Sequence, residues 1–277
     1  MMKFRSDFAE GLFNGVAESV YRADSALSTS DLKRISNPYE FQQNMSGKVK
    51  GFDTESMKTG RLYHMYALER DRWDAEVAVC PDEFADRRKK ASKEWWARQS
   101  EKDITIIKEE DLIAIQSMHD NLMALPWVGD SIEGGETEVS VFAKNLVKGI
   151  DVKCRIDCLL SAGRERRVVD IKTTRKGGSS PKEFTYTSRR LKYHWQQANY
   201  QRICQKAGYP ITDWLWAVVE TEAPYTAAVY RFSPHDMQMA NVELDEAYKK
   251  LASCVELDVW PSYTPSEPLT LNLFNAV

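Results

Sequence analysis

Cysteine, net charge and long apolar runs are all scarce in this sequence, and each scarcity excludes something. The five cysteines, at positions 80, 154, 158, 204 and 254, are odd in number and scattered, with no C-x-x-C pair. A disulfide framework needs an even, patterned set, so these are reduced thiols, as expected of a cytoplasmic protein. The net charge is only −3, from 38 Lys+Arg against 41 Asp+Glu. No global field draws such a chain to nucleic acid, so any contact with DNA must come from local basic clusters. That disfavours a simple DNA coat and leaves room for an enzyme with a lined channel. The longest strongly apolar run, Trp214 to Val219, is far too short to span a bilayer, and the opening MMKFRSDFAEGLF has no apolar signal core. No membrane partner is expected.

What the sequence does contain is a segment, from Gly149 to Thr174, that sorts acid and base onto one face of two strands. In GIDVKCRIDCLL, Val152, Cys154, Ile156 and Cys158 alternate with Lys153, Arg155 and Asp157, so the two cysteines are expected in a shared apolar face. After a polar turn, RVVDIKTT puts Val168, Asp170 and Lys172 on one face and Val169, Ile171 and Thr173 on the other. Pairing of the two strands brings Asp157, Asp170 and Lys172 together at a strand edge rather than in the core. Two carboxylates and an ammonium so placed can bind a hard divalent cation and hold a water beside a phosphate.

Around this hairpin the pattern predicts one α/β domain over 1–277: a mainly helical part to about 130, a catalytic sheet core over 131–260 and an extended tail over 261–277. Ser28-Thr29-Ser30-Asp31 caps a short helix, and Asn37-Pro38 opens the next. A helix over 59–70 is expected with Thr59 as its cap, and it aligns Gly60, His64 and Leu68 on one stripe. A basic, aromatic helical stretch runs from Asp82 to Ser100, and an amphipathic helix covers 109–125. Pro126 and the glycines of GDSIEGGE then predict a turn. Thr137 to Ala143 is the first strand of the sheet, ahead of the hairpin. After the loop RKGGSSPKE comes one helix from Ser188 to Ala207, with Leu191, Trp195 and Ala198 inward. Strands DWLWAVVE and YTAAVYRF and a helix from Pro234 to about Glu256 follow.

The order of these pieces is more specific than any one of them. Glu138 lies in a strand, Asp157 ends the next, Asp170-Ile171-Lys172 ends a third, and Gln196 and Tyr200 follow at i,i+4 on a helix. With G-x-x-x-H upstream and Q-x-x-x-Y downstream, the chain resembles the PD-(D/E)XK nuclease superfamily, and within its RecB-like branch the RecE-type (exonuclease VIII) phage recombination exonucleases. The resemblance runs from YRADSALSTSDLKRISNPYEF to YHWQQANYQ. It departs from the literal motif at Ile156, which stands where the motif has proline.

The resemblance implies a restriction-endonuclease-like core, with a central mixed sheet flanked by helices. It implies that Asp157, Asp170 and the main-chain carbonyl of Ile171 hold Mg²⁺, with Mn²⁺ as a substitute and His64 beside the metal. Lys172 would orient and activate the attacking water. Glu138 matches the acid of the first strand, though Glu136 shares its face two residues earlier. Gln196 would position the water or a phosphate, with Tyr200 packed behind it. Arg87 and Arg88, together with Arg175, Lys176, Lys182, Arg189 and Arg190, are the candidate DNA contacts. The implied activity is 5′-to-3′ digestion of linear duplex DNA, leaving 3′ single strands for a RecT-like annealing recombinase. The implied assembly is a homo-oligomer, a tetrameric ring. The apolar Leu269, Leu271, Leu273 and Phe274 of the extended tail have no obvious place in a monomer core and are expected to dock on a neighbouring subunit or on the annealing partner. Iron–sulfur nucleases of the same superfamily carry one upstream and three C-terminal cysteines, and here Cys254 alone lies near the C-terminus. A non-catalytic DNA-binding module on the same fold would have no need of the intact Asp157, Asp170 and Lys172 set.

Overall fold

The alternation of residues 136–174 folds into three consecutive antiparallel strands, the centre of a computed structural model that describes residues 2–49, 54–100, 104–147 and 149–263. Ahead of them come β1 (Gly11–Phe13), α1 (Glu18–Ala23), β2 (Leu27–Ser28), α2 (Thr29–Leu32), which runs on into a 3₁₀ turn at Lys33–Ser36, and α3 (Pro38–Met45). Next are α4 (Glu55–Leu68), α5 (Arg70–Glu76), β3 (Val77–Val79), α6 (Lys90–Ser100), β4 (Thr105–Ile107), α7 (Glu109–Met123) and α8 (Val128–Gly134). The three central strands are β5 (Glu136–Val147), β6 (Ile150–Ala162) and β7 (Glu165–Thr174). They lead into α9 (Pro181–Arg190), α10 (Tyr193–Lys206), β8 (Asp213–Glu220), β9 (Ala227–Tyr230) and α11 (Pro234–Leu257).

The main sheet has the order β1-β5-β6-β7-β8-β9, with β2 beside β6. It is mixed: β7 and β8 are parallel, as are β2 and β6, and the other pairs are antiparallel. β3 and β4 form a separate parallel pair. Each face of the sheet carries its own core. On one side Val152, Cys154, Ile156, Val168 and Trp216 pack with Leu32, Phe41, Trp195, Ala198 and Leu251, which brings α2, α3, α10 and α11 onto that face. On the other, Val169, Ile171, Leu215 and Ala217 pack with Tyr63, Met118, Leu122 and Val128 of α4, α7 and the start of α8. This is the mixed sheet flanked by helices that the resemblance implies.

Several local expectations are corrected. α4 begins at Glu55, four residues before Thr59, because the Thr54 hydroxyl accepts from the Met57 amide and caps it. The glycine-rich stretch expected as a turn contains α8. Its glycines serve close approach: a Cβ on Gly129 would meet the Met123 carbonyl at 2.5 Å, and one on Gly135 would meet the Cys158 sulfur at 2.8 Å. Cys158 does not share the core of Cys154, but donates to the Ser131 carbonyl on the opposite side of the sheet. The helix expected over 188–207 is two helices, broken at Lys192, whose backbone is left-handed (φ 53°). Leu191, expected inward, sits at that break and is 39% exposed. The basic stretch 82–100 opens with a 3₁₀ turn at Asp82–Phe84 and turns helical only from Lys90. The tail positions Leu269, Leu271, Leu273 and Phe274 lie outside the described residues.

Candidate active site

Strands β6 and β7 pair only from Cys158 and Val169 toward their connecting turn. Continued by one step, the register would set Asp157 opposite Asp170. Instead the strands part there: β7 goes on with β8 alone through Thr174, while β6 goes on with β5 and takes β2 at Val152 and Lys153. The Asp157 carboxylate closes the fork by accepting from the Ile171 amide at 2.8 Å, which replaces the lost ladder bond.

Three groups converge in this fork. The carboxylates of Asp157 and Glu138 and the His64 imidazole each present a ligand atom, all within 4.8 Å of one another. Glu138 reaches it from β5 through a left-handed residue (φ 53°) that interrupts the ladder between Thr137 and Val139. Glu136, on the same strand, is exposed. His64 arrives from α4, and its Nε2 lies 3.1 Å from the Ile171 carbonyl. A carbonyl only accepts, so Nε2 carries the hydrogen, and Nδ1 keeps its lone pair toward Asp157 Oδ2 at 3.8 Å. Two ligands bound to one ion at just over 2 Å each stand about 3–4 Å apart. The His64–Asp157 separation falls in that range, and the donor set, two carboxylates and an unprotonated imidazole, is of the kind that takes a divalent cation.

The electrostatics agree. Burial, then the neighbouring Lys172 ammonium, pushes His64 down to about 4, so the ring is neutral near pH 7. Burial and the Asp157 carboxylate raise Glu138, outweighing the Arg155 guanidinium that donates to it at 2.5 Å, and burial raises Asp157. Carboxylates held reluctant to ionise are relieved by a cation placed among them.

Asp170 and Lys172 stand at the lip of the same fork, on the α10 side. The expectation that they lie at an edge fails for Asp170, which is 1% exposed because β8 covers the far side of β7. Burial raises Asp170 to about 6. One of its oxygens accepts from the Lys172 ammonium and the other from Gln196 Nε2. Lys172 is raised because Asp170 and Asp157 together outweigh its desolvation, and its Nζ lies 5.2 Å from the ring centroids of both Tyr193 and Trp216. The same ion pair thus favours the charge of Lys172 more than that of Asp170, the more deeply buried partner. Tyr200 packs edge-on against Trp214 one turn beyond Gln196.

The basic residues are distributed differently. Arg175, Lys176, Lys182, Arg189 and Arg190 are exposed on the loop after β7 and along α9, with Arg175 3.4 Å from Glu183. Arg87 stacks over Trp96 at 3.5 Å, and Arg88 is held by both oxygens of Asp86. Sequence reasoning placed Arg155 on the face of Asp157 without giving it a task; in the fold it ties Glu138 to the Val16 carbonyl. Tyr193, which supports Lys172, carried no signal, because its position depends on the break at Lys192.

Residues 28–267 match the family described as a PDDEXK-like domain of unknown function, DUF3799. Among solved structures, a protein of Eubacterium rectale described as a candidate exonuclease, solved at 2.19 Å, is similar with a TM-score of 0.60 and 11% identity. The match covers 93% of this chain and 97% of that one. The protein SSO0001 matches with a TM-score of 0.30 and 14% identity, over 73% of this chain and 87% of that one, too weakly to bear on the fold. No curated protein matches the sequence.

Proposed function

Because the chain belongs to this PDDEXK-like family, we propose that it is a divalent-metal-dependent exodeoxyribonuclease acting on the ends of linear duplex DNA. The observation that carries the reading is the meeting of His64, Glu138 and Asp157 in the β6–β7 fork, next to the Asp170–Lys172 pair. His64, Glu138 and Asp157 would hold Mg²⁺, or Mn²⁺ in its place, with Asp170 and the Ile171 carbonyl as the adjoining oxygen donors. Such an ion, when bound, polarises a phosphoryl oxygen and lowers the pKa of a coordinated water.

The side chains do the rest. Lys172 stays protonated at neutral pH, so its part is to donate to a water or phosphoryl oxygen and offset charge, not to abstract a proton. Asp170 fixes that ammonium in place. Gln196, already bonded to Asp170, orients the same water or phosphate, and the rings of Tyr193 and Trp216 wall the ammonium.

End-directed rather than internal cleavage rests on the resemblance to RecE-type enzymes and agrees with the description of the Eubacterium rectale protein as a candidate exonuclease. The 5′-to-3′ direction and delivery of 3′ strands to a RecT-like recombinase rest on the resemblance to RecE-type enzymes. So does a ring-shaped homo-oligomer, which would gather the basic residues of α9 from several subunits around one channel although the whole chain is acidic. Among the described residues no helix is long and apolar enough to cross a membrane. The deciding assay compares end-labelled linear duplex with closed circular DNA in Mg²⁺: loss of the linear form alone is expected, and equal attack on the circle would refute exonuclease action. Light scattering of the full chain tests the ring, which a monomer would exclude.

A further inference from the structure

The motif STSDLKRISNP received no task in the site just described, yet its 3₁₀ turn is fastened to the helix that carries Gln196. Lys192 donates to the Ser36 hydroxyl at 2.7 Å and to the Lys33 carbonyl at 3.5 Å. Asn199 donates to the Thr29 hydroxyl at 2.8 Å, and Tyr248 in turn donates to Asn199. Lys33 is thereby held over α10, with its ammonium 5.6 Å from the centroid of the Tyr193 ring, the ring that also walls Lys172.

The two lysines differ in one respect. Lys172 is ion-paired with the buried Asp170 carboxylate, whereas Lys33 is half-buried and, among the described residues, forms no salt bridge of its own; it feels Asp170 only at a distance, through a carboxylate already paired with Lys172. A flexible ammonium normally moves out to water. One kept partly desolvated beside two further cations, Lys172 and Lys192, gains from any anion that enters. Burial and the Lys172 ammonium, with a smaller part from Lys192, outweigh the attraction of Asp170 and push Lys33 down to about 7.

Resting on the nuclease reading of this site, we propose that Lys33 is a phosphate-binding residue, which takes a DNA phosphodiester at the Tyr193 side of the fork while Lys172 serves the phosphate to be cut. Its loss removes a contact made equally in the ground and transition states. Lys33→Gln should therefore raise KM for linear duplex about 10-fold with kcat little changed, and lower the slope of log affinity against log salt by about 1. Lys33→Arg should restore both.

A second measurement needs no variant and no turnover. An amine near neutrality acylates quickly at neutral pH, so labelling of Lys33 in the full-length protein, read by peptide mass spectrometry, reports its surroundings. A short DNA duplex at micromolar concentration in Ca²⁺ should slow Lys33 acylation several-fold, and inorganic phosphate should do so only at far higher concentration. Unchanged labelling with duplex, or an unchanged salt slope in Lys33→Gln, overturns the assignment. Equal protection by micromolar phosphate assigns the position to a small anion instead and also overturns it. Protection without any DNA cleavage would sink the nuclease reading and leave this one standing, whereas cleavage with Lys33 unprotected would sink this one alone.

Discussion

Gly60 offers a perturbation whose size follows from geometry. Four residues of helix advance about 6 Å and two residues of strand about 6.6 Å. Gly60 and His64 of α4 can therefore sit over Thr173 and Ile171 of β7 in step. A Cβ on Gly60 would lie 3.0 Å from the Thr173 hydroxyl, and His64 bonds the Ile171 carbonyl at 3.1 Å. The glycine lets the helix rest close enough for the imidazole to reach the fork.

Gly60→Ala sets the better helix propensity of alanine, about 1 kcal/mol, against a tight contact that the Thr173 side chain can relieve by turning. Its net effect should stay within about 0.5 kcal/mol of zero. Gly60→Val adds two further methyl groups, and overpacking of this kind costs about 1–3 kcal/mol, of which propensity returns less than about 0.5. A net loss near 2 kcal/mol by urea unfolding is expected. The helix must also lift, and a misplacement of about 1 Å at a catalytic group costs on the order of 10²-fold in rate. Cleavage of linear duplex by Gly60→Val should fall by at least about 10-fold. Thr173→Ala in the same chain removes the obstructing hydroxyl and should recover more than half of the lost stability. A valine variant as stable and active as the original, or a double variant with no recovery, would refute the role given to this contact.

Asp170→Asn should lose about 10²–10³-fold in cleavage, as should Lys172→Met, because each removes the fixed charge at the lip of the fork. Asp170→Asn should keep its fold by thermal unfolding, since asparagine still offers an acceptor to Lys172 and the Gln196 amide can flip to meet its NH₂. His64→Ala should weaken Mn²⁺ binding more than Mg²⁺ binding in calorimetry, because imidazole suits the softer ion; lowered thermal stability with unchanged binding of both would make the histidine a packing residue. Asp213 tests linkage away from the site. The Arg231 guanidinium, and then Arg167, hold its carboxyl down at about 2. A depressed folded pKa contributes stability that is full above about pH 4 and is lost as pH falls through about 2. Asp213→Asn should cost about 2 kcal/mol at pH 7, with the gap closing only below about pH 4, and a gap independent of pH would refute the linkage.

How much of this was legible in the sequence depends on the range of each signal. Period-two alternation located β6 and β7, β5 and β8 were also expected as strands, and the spacing of Gly60 to His64 and of Gln196 to Tyr200 placed both pairs on helix faces. The α4 boundary went wrong because Thr59 and Thr54 are both plausible caps, and tertiary packing chose between them. Cys158 changed sides because the ladder is interrupted at Asp157, and alternation carries no information across such a break. Glu138 was left open against Glu136 for a related reason. A strand residue with φ near +50° has no signature when it is a glutamate, yet that turn brings its carboxylate to Asp157. Lys33 and Tyr193 were invisible as site residues because their places are set by contacts between segments about 160 residues apart.

The two sides of the fork are charged differently, and on the nuclease reading proposed above this constrains how a strand of DNA would lie there. The groups proposed to hold a cation, His64 from α4 with Glu138 and Asp157, lie on one side. The ammoniums of Lys172 and Lys33 stand against Tyr193 on the other, where Arg190 at the end of α9 also acts on the Tyr193 ring. A phosphodiester entering the fork can place one oxygen toward the cation wall and another toward the ammoniums. Turned the other way, it would set its charge against the half-buried carboxylates of Glu138 and Asp157, of which Glu138 alone has a guanidinium, Arg155, within salt-bridge distance. The small net charge of the chain is then no obstacle, because orientation is decided within a few ångströms, where effective permittivity is low and screening by salt is weak. Arg155 fixes Glu138 in place, donating to its carboxylate at 2.5 Å and to the Val16 carbonyl at 2.9 Å.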